Sequence, residues 1–463
     1  MASGALLVAV NAVAFPLQVS SAGASPAPSA SHVRVLIPGS LTAARLPPTA
    51  LGAAPFPGRV SGGLTRPATP QIPLKFTYLL SVYCTSGSSC WAVGEREAPA
   101  GNSQLNQVLH WNGRSWYGMT APSPGGSGAG AYSVLYGVRC LTAKDCWAAG
   151  EYRKSPGAAI QTQVLHWAGR RWAKVPTPNP GGTGGNAENE LFDVTCVTSK
   201  NCWSVGDFGT QSGIHQKLLN LVLHWNGTRW SRVFLSNPGG TSADHLNSLF
   251  SVRCGSASNC VATGELGTTT AAGYQTNNEA MHWNGRHWYQ TPTPNPGGTG
   301  YGHFSEIDGL ACVGGADCWG AGSYGVQSPT LTSQNAMLHW NGRAWAKVTV
   351  PDQTPPSSTG LDAFLAATCF SARDCWAVGH REPASGALLN EAEHWNGKRW
   401  YVVTTPNPAG TADPVQHGLL GARCAAAKDC WAVGYQLSTP GIYHNEVLHW
   451  NGAKWSVFAA PGT

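Results

Sequence analysis

The chain has 463 residues, of which 11% are charged, 57 are Gly, 32 are Pro and 20 are Trp. So few charged residues, with so much Gly and Pro, exclude a coiled coil or helical bundle, and 42% hydrophobic residues exclude a disordered chain. The net charge of +6 does not mark a nucleic-acid surface: residues 1–94 hold five basic residues and no acid, which leaves 24 basic against 23 acidic residues elsewhere.

In chain order, residues 1–33 carry no Lys, Arg, Asp or Glu. Ala5 to Val19 is largely apolar, interrupted by Asn11 and Pro16, and Ala22-Gly23-Ala24 fits the small-x-small rule of signal-peptidase cleavage. Residues 1–24 therefore read as an export signal, with a disordered Ala-rich tail as the alternative. The usual Lys or Arg ahead of the apolar core is missing, which points to a start codon upstream. Residues 25–75, rich in Pro, Ala, Ser and Gly, read as a spacer in which Val33–Ile37 has the pattern of one short strand. Nothing beyond the first few dozen residues is apolar for long enough to predict a transmembrane segment.

Residues 76–463 contain seven copies of one unit. A first cysteine recurs at Cys84, Cys140, Cys196, Cys254, Cys312, Cys369 and Cys424, at intervals of 56, 56, 58, 58, 57 and 55. A second follows each by six residues, at Cys90, Cys146, Cys202, Cys260, Cys318, Cys375 and Cys430, which uses all 14. A residue type used the same way seven times is scaffold, and no cysteine is left over as a nucleophile. Five intervening residues do not match the two to four of a zinc knuckle. The pairs therefore predict seven disulfides, each within its own unit. Each is worth about 2 kcal/mol by chain entropy, and together they imply an oxidising compartment.

Each unit then reads CWAVG, a variable stretch and a form of LHWNGxxW. These three Trp slots account for all 20 Trp, and the one gap is Val261. The seven His of HWNG, such as His110 and His166, recur with the unit and read as scaffold. Four strands per unit follow. In the second unit they are Leu135–Cys140, Cys146–Gly150, Val164–Trp167, and a fourth that starts at Trp172 and ends at a Pro. Asn-Gly between strands three and four, as at Asn112-Gly113, is a strong short-hairpin signal because both residues tolerate positive φ. Four strands repeated seven times predict an all-β fold, a seven-bladed β-propeller with four antiparallel strands and one disulfide per blade. A β-solenoid has shorter rungs and lacks repeated hairpin turns. If Phe76–Cys84 supplies the first strand of its own blade, the ring closes by blade packing alone; this is favoured over a sheet shared with the seventh blade.

The order of elements resembles the kelch-type propellers. Their second strand ends in Gly and a Trp opens the fourth, as at Gly94 and Trp116 here. The chain departs from them in having Val-Gly, Ala-Gly or Thr-Gly for Gly-Gly, and in adding the Cys pair and the His-Trp-Asn-Gly turn. It more closely resembles a class of Trp-rich CWAVG/HWNG repeat proteins exported by bacteria, a class with no settled activity. The resemblance covers residues 76–463 and implies the fold rather than a function, since propellers host binding and catalysis alike.

Unit lengths differ in one segment only. From the second Cys to the His the spacing is 20, 20, 22, 22, 21, 19 and 19, whereas every other interval is constant. That segment joins strands two and three, on the face opposite the disulfide and Asn-Gly turns, and loops of varying length carry specificity. The slot after the strand-two Gly holds Glu95, Glu151, Asp207, Glu265, Ser323, His380 and Tyr435. Its four carboxylates could hold a cation or accept sugar hydroxyls; the plainer alternative is a solvated strand end. Tyr324, with Tyr152, Phe208, Tyr274 and Tyr443, could stack on sugar or anchor a protein, or pack on neighbouring loops. His245 and His303 each precede a first Cys by nine residues, and His417 precedes Cys424 by seven. A mononuclear metal site there is weighed and set aside, and no cofactor is expected.

Two function classes follow. The first is a secreted or cell-surface binding or scaffold propeller, monomeric, with a glycan or extracellular protein as partner and no nucleic acid. The second is a carbohydrate-active propeller enzyme: an oxidase, lyase or hydrolase. A copper oxidase with a Tyr–Cys crosslink is disfavoured because every Cys is paired.

Overall fold

The computed structural model describes residues 76–463 apart from 213–214, 271–272, 327–331, 352, 354–359 and 440–441. The export signal, the spacer and Val33–Ile37 lie outside the described residues. The rest forms seven four-stranded antiparallel sheets around an axis. The first blade comprises β1 (Thr77–Ser86), β2 (Ser89–Glu97), β3 (Gln104–Trp111) and β4 (Trp116–Gly118). Strands β5–β8 (132–175), β9–β12 (187–233), β13–β16 (245–290), β17–β20 (303–347), β21–β24 (363–402) and β25–β28 (416–457) repeat that meander. All seven predicted disulfides are present, each joining directly paired residues of the first and second strands such as Cys84 and Cys90, with Cα atoms 3.9–4.0 Å apart.

Tryptophan builds the seams. Trp91 of the first blade lies 4.8 Å from Trp167 and 5.3 Å from Trp172 of the second, the latter edge-on. The same three-ring contact recurs at five more seams, with Trp147, Trp203, Trp319, Trp376 and Trp431 as the inserted rings. Offset and edge-on ring pairs of this kind add about 0.5–1.5 kcal/mol each to their area burial. At the seam of the fourth and fifth blades Val261 takes the slot, packed with Trp340 and Trp345. There alone Trp345 Nε1 donates to a side-chain hydroxyl, that of Thr291, at 3.2 Å. Trp431 inserts between Trp111 and Trp116, so the seventh blade meets the first as the others meet their neighbours. Among the described residues β1 belongs to its own blade, as favoured, and a single parallel bridge, Phe76 to Tyr443, links the preceding residue to the seventh.

The HWNG histidines serve the scaffold. His166 stacks on Trp147 with centroids 4.0 Å apart, and its Nε2 lies 2.8 Å from Asp145, the residue that opens strand two. His339, His394 and His449 make the same contact with Asp317, Asp374 and Asp429. In the Asn-Gly turns only Gly has positive φ, for example 90° at Gly113. The turn is a four-residue loop between paired Trp111 and Trp116, and Asn112 Oδ1 accepts from the N–H groups of Arg114 and Ser115, both at 2.9 Å. The expectation of positive φ at both positions is corrected: the Asn side chain supplies the turn by capping two backbone donors.

One glycine in each blade reports on the axis. Every first strand has an unpaired bulge residue opposite the strand-two Gly: Leu80, Tyr136, Phe192, Phe250, Asp308, Leu365 and Leu420. The bulge presses a first-strand carbonyl onto that Gly. A Cβ on Gly94 would lie 2.1 Å from Tyr78 O, and one on Gly206 would lie 2.0 Å from Glu190 O. This close approach explains why CWAVG ends in Gly, and the bulge turns one side chain per blade towards the axis.

Candidate functional site

The slot after the strand-two Gly lies inside the seams. Each of its residues is paired on both sides, as Glu95 is with Tyr78 and Asn106, and the neighbouring blades cover both faces of the sheet. Glu95, Glu151, Asp207, Glu265 and Ser323 are buried, so the solvated-strand-end expectation is corrected. Glu95 accepts a hydrogen bond from the Tyr78 hydroxyl, and burial raises its pKa to about 7 against the pull of that bond. Glu151 accepts from Tyr132 at 3.0 Å and Tyr136 at 3.4 Å. Asp207 accepts from Ser248 of the next blade at 2.6 Å, and Ser323 donates to Glu306 at 2.8 Å. His380 is buried with no hydrogen-bond partner for either ring nitrogen among the described residues, and burial lowers its pKa to about 4. Tyr435 is buried against Tyr78 and Tyr443.

The other candidates differ in depth: Tyr324, His245 and His303 are half-buried, whereas Tyr152, Phe208 and His417 are buried. Tyr324 donates to Gln334 at 2.6 Å, with the Lys347 ammonium 4.6 Å from its ring centre. Lys174 covers Tyr152 and Arg232 covers Phe208 in the same way. The Tyr274 side chain lies outside the described residues. His245 and His303 do not share a bond: each directs Nδ1 at a carbonyl of its own entry loop, Ala243 O at 3.1 Å and Gly297 O at 2.5 Å. His417 is buried with Nδ1 2.9 Å from Glu446. Among the described residues no three His, Cys, Asp or Glu side chains are grouped to hold a metal ion.

Hairpin height varies between blades without simply following segment length: the sixth and seventh segments are equally short, yet the seventh pairs out to Thr439 and Ile442. In the third blade β10 (Asn201–Ser212) and β11 (His215–Trp225) pair out to Ser212 and His215. In the fourth, β14 (Asn259–Thr270) and β15 (Gly273–Trp283) pair out to Thr270 and Gly273. In the sixth blade pairing stops at Arg381 and Leu389. Among the described residues the hairpins of the third, fourth and seventh blades thus pair furthest out, the first two of them adjacent. Tyr301, which is 62% exposed, lies in the connection that enters the next blade on the same face.

Sequence reasoning missed the axis. A central cavity of ≈ 280 Å³ is lined by the first strands of all seven blades, with the bulge residues as a collar. Tyr136, Phe192 and Phe250 make an edge-on aromatic run, at 5.3 and 5.7 Å. Asp308 is the one carboxyl of the collar; burial, then Glu306 and Glu265 beside it, hold it well above the usual carboxylate range. A further tier, formed by the residues before the first cysteines, includes Tyr83, Arg139, Arg253 and Arg423. The signal for these residues was available in unit-by-unit differences within strand one, where composition varies although length does not.

No protein-family model matches the chain, and no curated protein matches it. Solved structures do. A polysaccharide lyase of family PL25, an ulvan lyase, superposes with a TM-score of 0.51 at 11% identity, covering 82% of this chain and 93% of the lyase. The GH74 xyloglucanase of Xanthomonas campestris gives 0.48 at 15% identity, over 84% of this chain and 53% of the enzyme. The β-propeller domain of the trilobed protease from Pyrococcus furiosus gives 0.43 at 9% identity, over 82% and 97%. At these identities the similarity is one of fold.

Proposed function

We propose that the protein is an exported propeller that recognises a glycan or an extracellular protein through its hairpin face. The observation that carries this reading is the placement of all length variation on that face, with the longest segments in the adjacent third and fourth blades. The opposite face consists of seven near-identical disulfide turns and seven short Trp-to-Trp turns, which offer little to read. The seven disulfides suit an oxidising extracellular setting, and the order of elements is kelch-like. The described residues include no helix long and apolar enough to cross a membrane. The test is a glycan array, followed by capture of extracellular proteins, with two sets of variants. Tyr301→Ala and Tyr324→Ala are expected to weaken binding, whereas Arg114→Ala and Lys428→Ala leave it unchanged. Loss confined to the second pair overturns the reading.

Asp308 favours a second reading, a carbohydrate-active enzyme. A carboxyl inside a cavity, its pKa raised by burial and by neighbouring carboxyls, suits a general acid. The ulvan lyase carries carbohydrate chemistry on the same fold. Product release from a polysaccharide panel, abolished by Asp308→Asn, would establish this reading in place of the first.

A further inference from the structure

The disulfide end of the axial cavity carries a charge imbalance that the scaffold does not need. The slot before the first cysteine reads Tyr83, Arg139, Thr195, Arg253, Ala311, Thr368 and Arg423. Its three arginines stand on the second, fourth and seventh blades, so two, three and two steps separate them around a seven-fold ring. They face the axis from three sides, and all three line the cavity. Tyr83 lies between two of them, its ring centre 4.6 Å from the Arg139 guanidinium and 4.4 Å from that of Arg423, which also donates to the Tyr83 hydroxyl at 3.2 Å.

The acids nearby do not balance these charges. Only Asp193 and Asp308 line the cavity. Asp193 pairs with Arg253, and its two oxygens also accept from Val194 N–H at 2.8 Å, and from the Ser251 hydroxyl and Val252 N–H at 3.0 Å each. Asp308 is held towards its neutral form. Three guanidiniums against these two carboxyls, one of them already engaged by Arg253, leave an excess of positive charge. Among the described residues Arg139 has no hydrogen-bond acceptor for its guanidinium, and the buried Arg423 Nε has no partner. The guanidiniums also work against one another: burial, then Arg423 and Arg253, hold Arg139 below its ordinary range. Partly buried like charges with unused donors are costly unless something compensates them, and the other blades fill this slot with Tyr, Thr or Ala.

We propose that the cavity binds a divalent tetrahedral oxyanion, sulfate or phosphate, free or as a monoester, on the propeller axis between Arg139, Arg253 and Arg423. Three donors around an axis match three oxygens of a tetrahedral ion better than the two of a planar carboxylate. The excess of positive charge favours an anion, and guanidinium forks are suited to such oxygens. This site lies at the other end of the channel from the hairpin face and stands whether or not that face binds a glycan.

The test uses the full, oxidised chain in chloride buffer at pH 7. Calorimetric titrations with sodium sulfate and sodium phosphate are compared with sodium chloride at matched ionic strength, and thermal unfolding is followed in the same solutions. Saturable binding of one ion per chain is expected, with a rise in Tm that chloride does not give. Arg139→Gln and Arg423→Gln each weaken it about tenfold or more, and Arg114→Gln on an exposed turn leaves it intact. Should a Gln variant fail to fold, Arg139→Lys retains the charge, loses the fork and is expected to bind more weakly. Glucose 6-sulfate binding as tightly as sulfate identifies an ester site, and binding of the free ions alone identifies an internal ion; either outcome supports the oxyanion site. A response to sulfate and phosphate no greater than that to chloride overturns it, as does unchanged affinity in the arginine variants.

Discussion

The seams and the axis of this propeller are built by opposite rules. At six seams a Trp inserts between two Trp of the next blade, and the seventh substitutes Val261. At the axis the equivalent residue changes from blade to blade: the collar holds three aromatics, three leucines and Asp308, and the tier below holds Tyr83 and three arginines. Repetition marks what holds the ring together. Departure from repetition, at fixed backbone geometry, marks what the ring can be used for.

The largest effect is expected at the seams. Trp203→Ala should cost about 3–5 kcal/mol and Val261→Ala about 1–2 kcal/mol, since the fourth-to-fifth seam lacks the inserted ring. Thermal unfolding of both variants checks the difference, and equal losses would mean that the Trp triplets are not what holds the blades together. Next comes the bulge that turns side chains to the axis. Gly206→Ala puts a Cβ 2.0 Å from Glu190 O and should cost about 2–4 kcal/mol, whereas Gly118→Ala, with open space around it, should stay within about 0.5 kcal/mol. A tolerated Gly206→Ala would refute the close approach.

The smallest effect sharpens the comparison between blades. Glu279 is buried and accepts from Asn220 of the preceding blade at 2.6 Å, and burial raises its pKa to about 8. Its folded pKa lies above the ordinary value, so its contribution is full at pH values below that ordinary value and is lost as pH rises through about 8. Glu279→Gln keeps an acceptor and removes the titration. The variant should match the parent near pH 5 and melt about 1–4 °C higher at pH 8.5. Identical pH profiles for the two proteins would show that Glu279 does not contribute.

The fold was legible because its signals are redundant. Seven Cys pairs and 20 Trp at fixed spacing leave little freedom in blade number or strand order, and Gly and Trp mark strand ends. The interior of the candidate site was not legible. Nothing in the string shows that Glu95 and its counterparts sit on a strand covered on both faces, because burial there is a property of the neighbouring blade. Nor does the string show the bulge at Leu80 or Asp308, which shifts the side-chain alternation by one residue. Length counts found the hairpin face; they passed over Arg139, Arg253 and Arg423, whose strands have constant length.

The seam formed by Trp431, Trp111 and Trp116 has a topological consequence. Among the described residues every blade is one contiguous stretch of chain and no sheet is shared, so the described ring has no unique joint. A Cβ on Gly462 would lie 3.0 Å from Thr77 Cγ2, so the two ends of the described ring touch. A chain spliced there and opened between any two other blades would trace the same ring. Duplication or loss of one whole blade would keep the pattern of the seams while changing the circumference, the make-up of the collar and how widely the axial arginines stand apart.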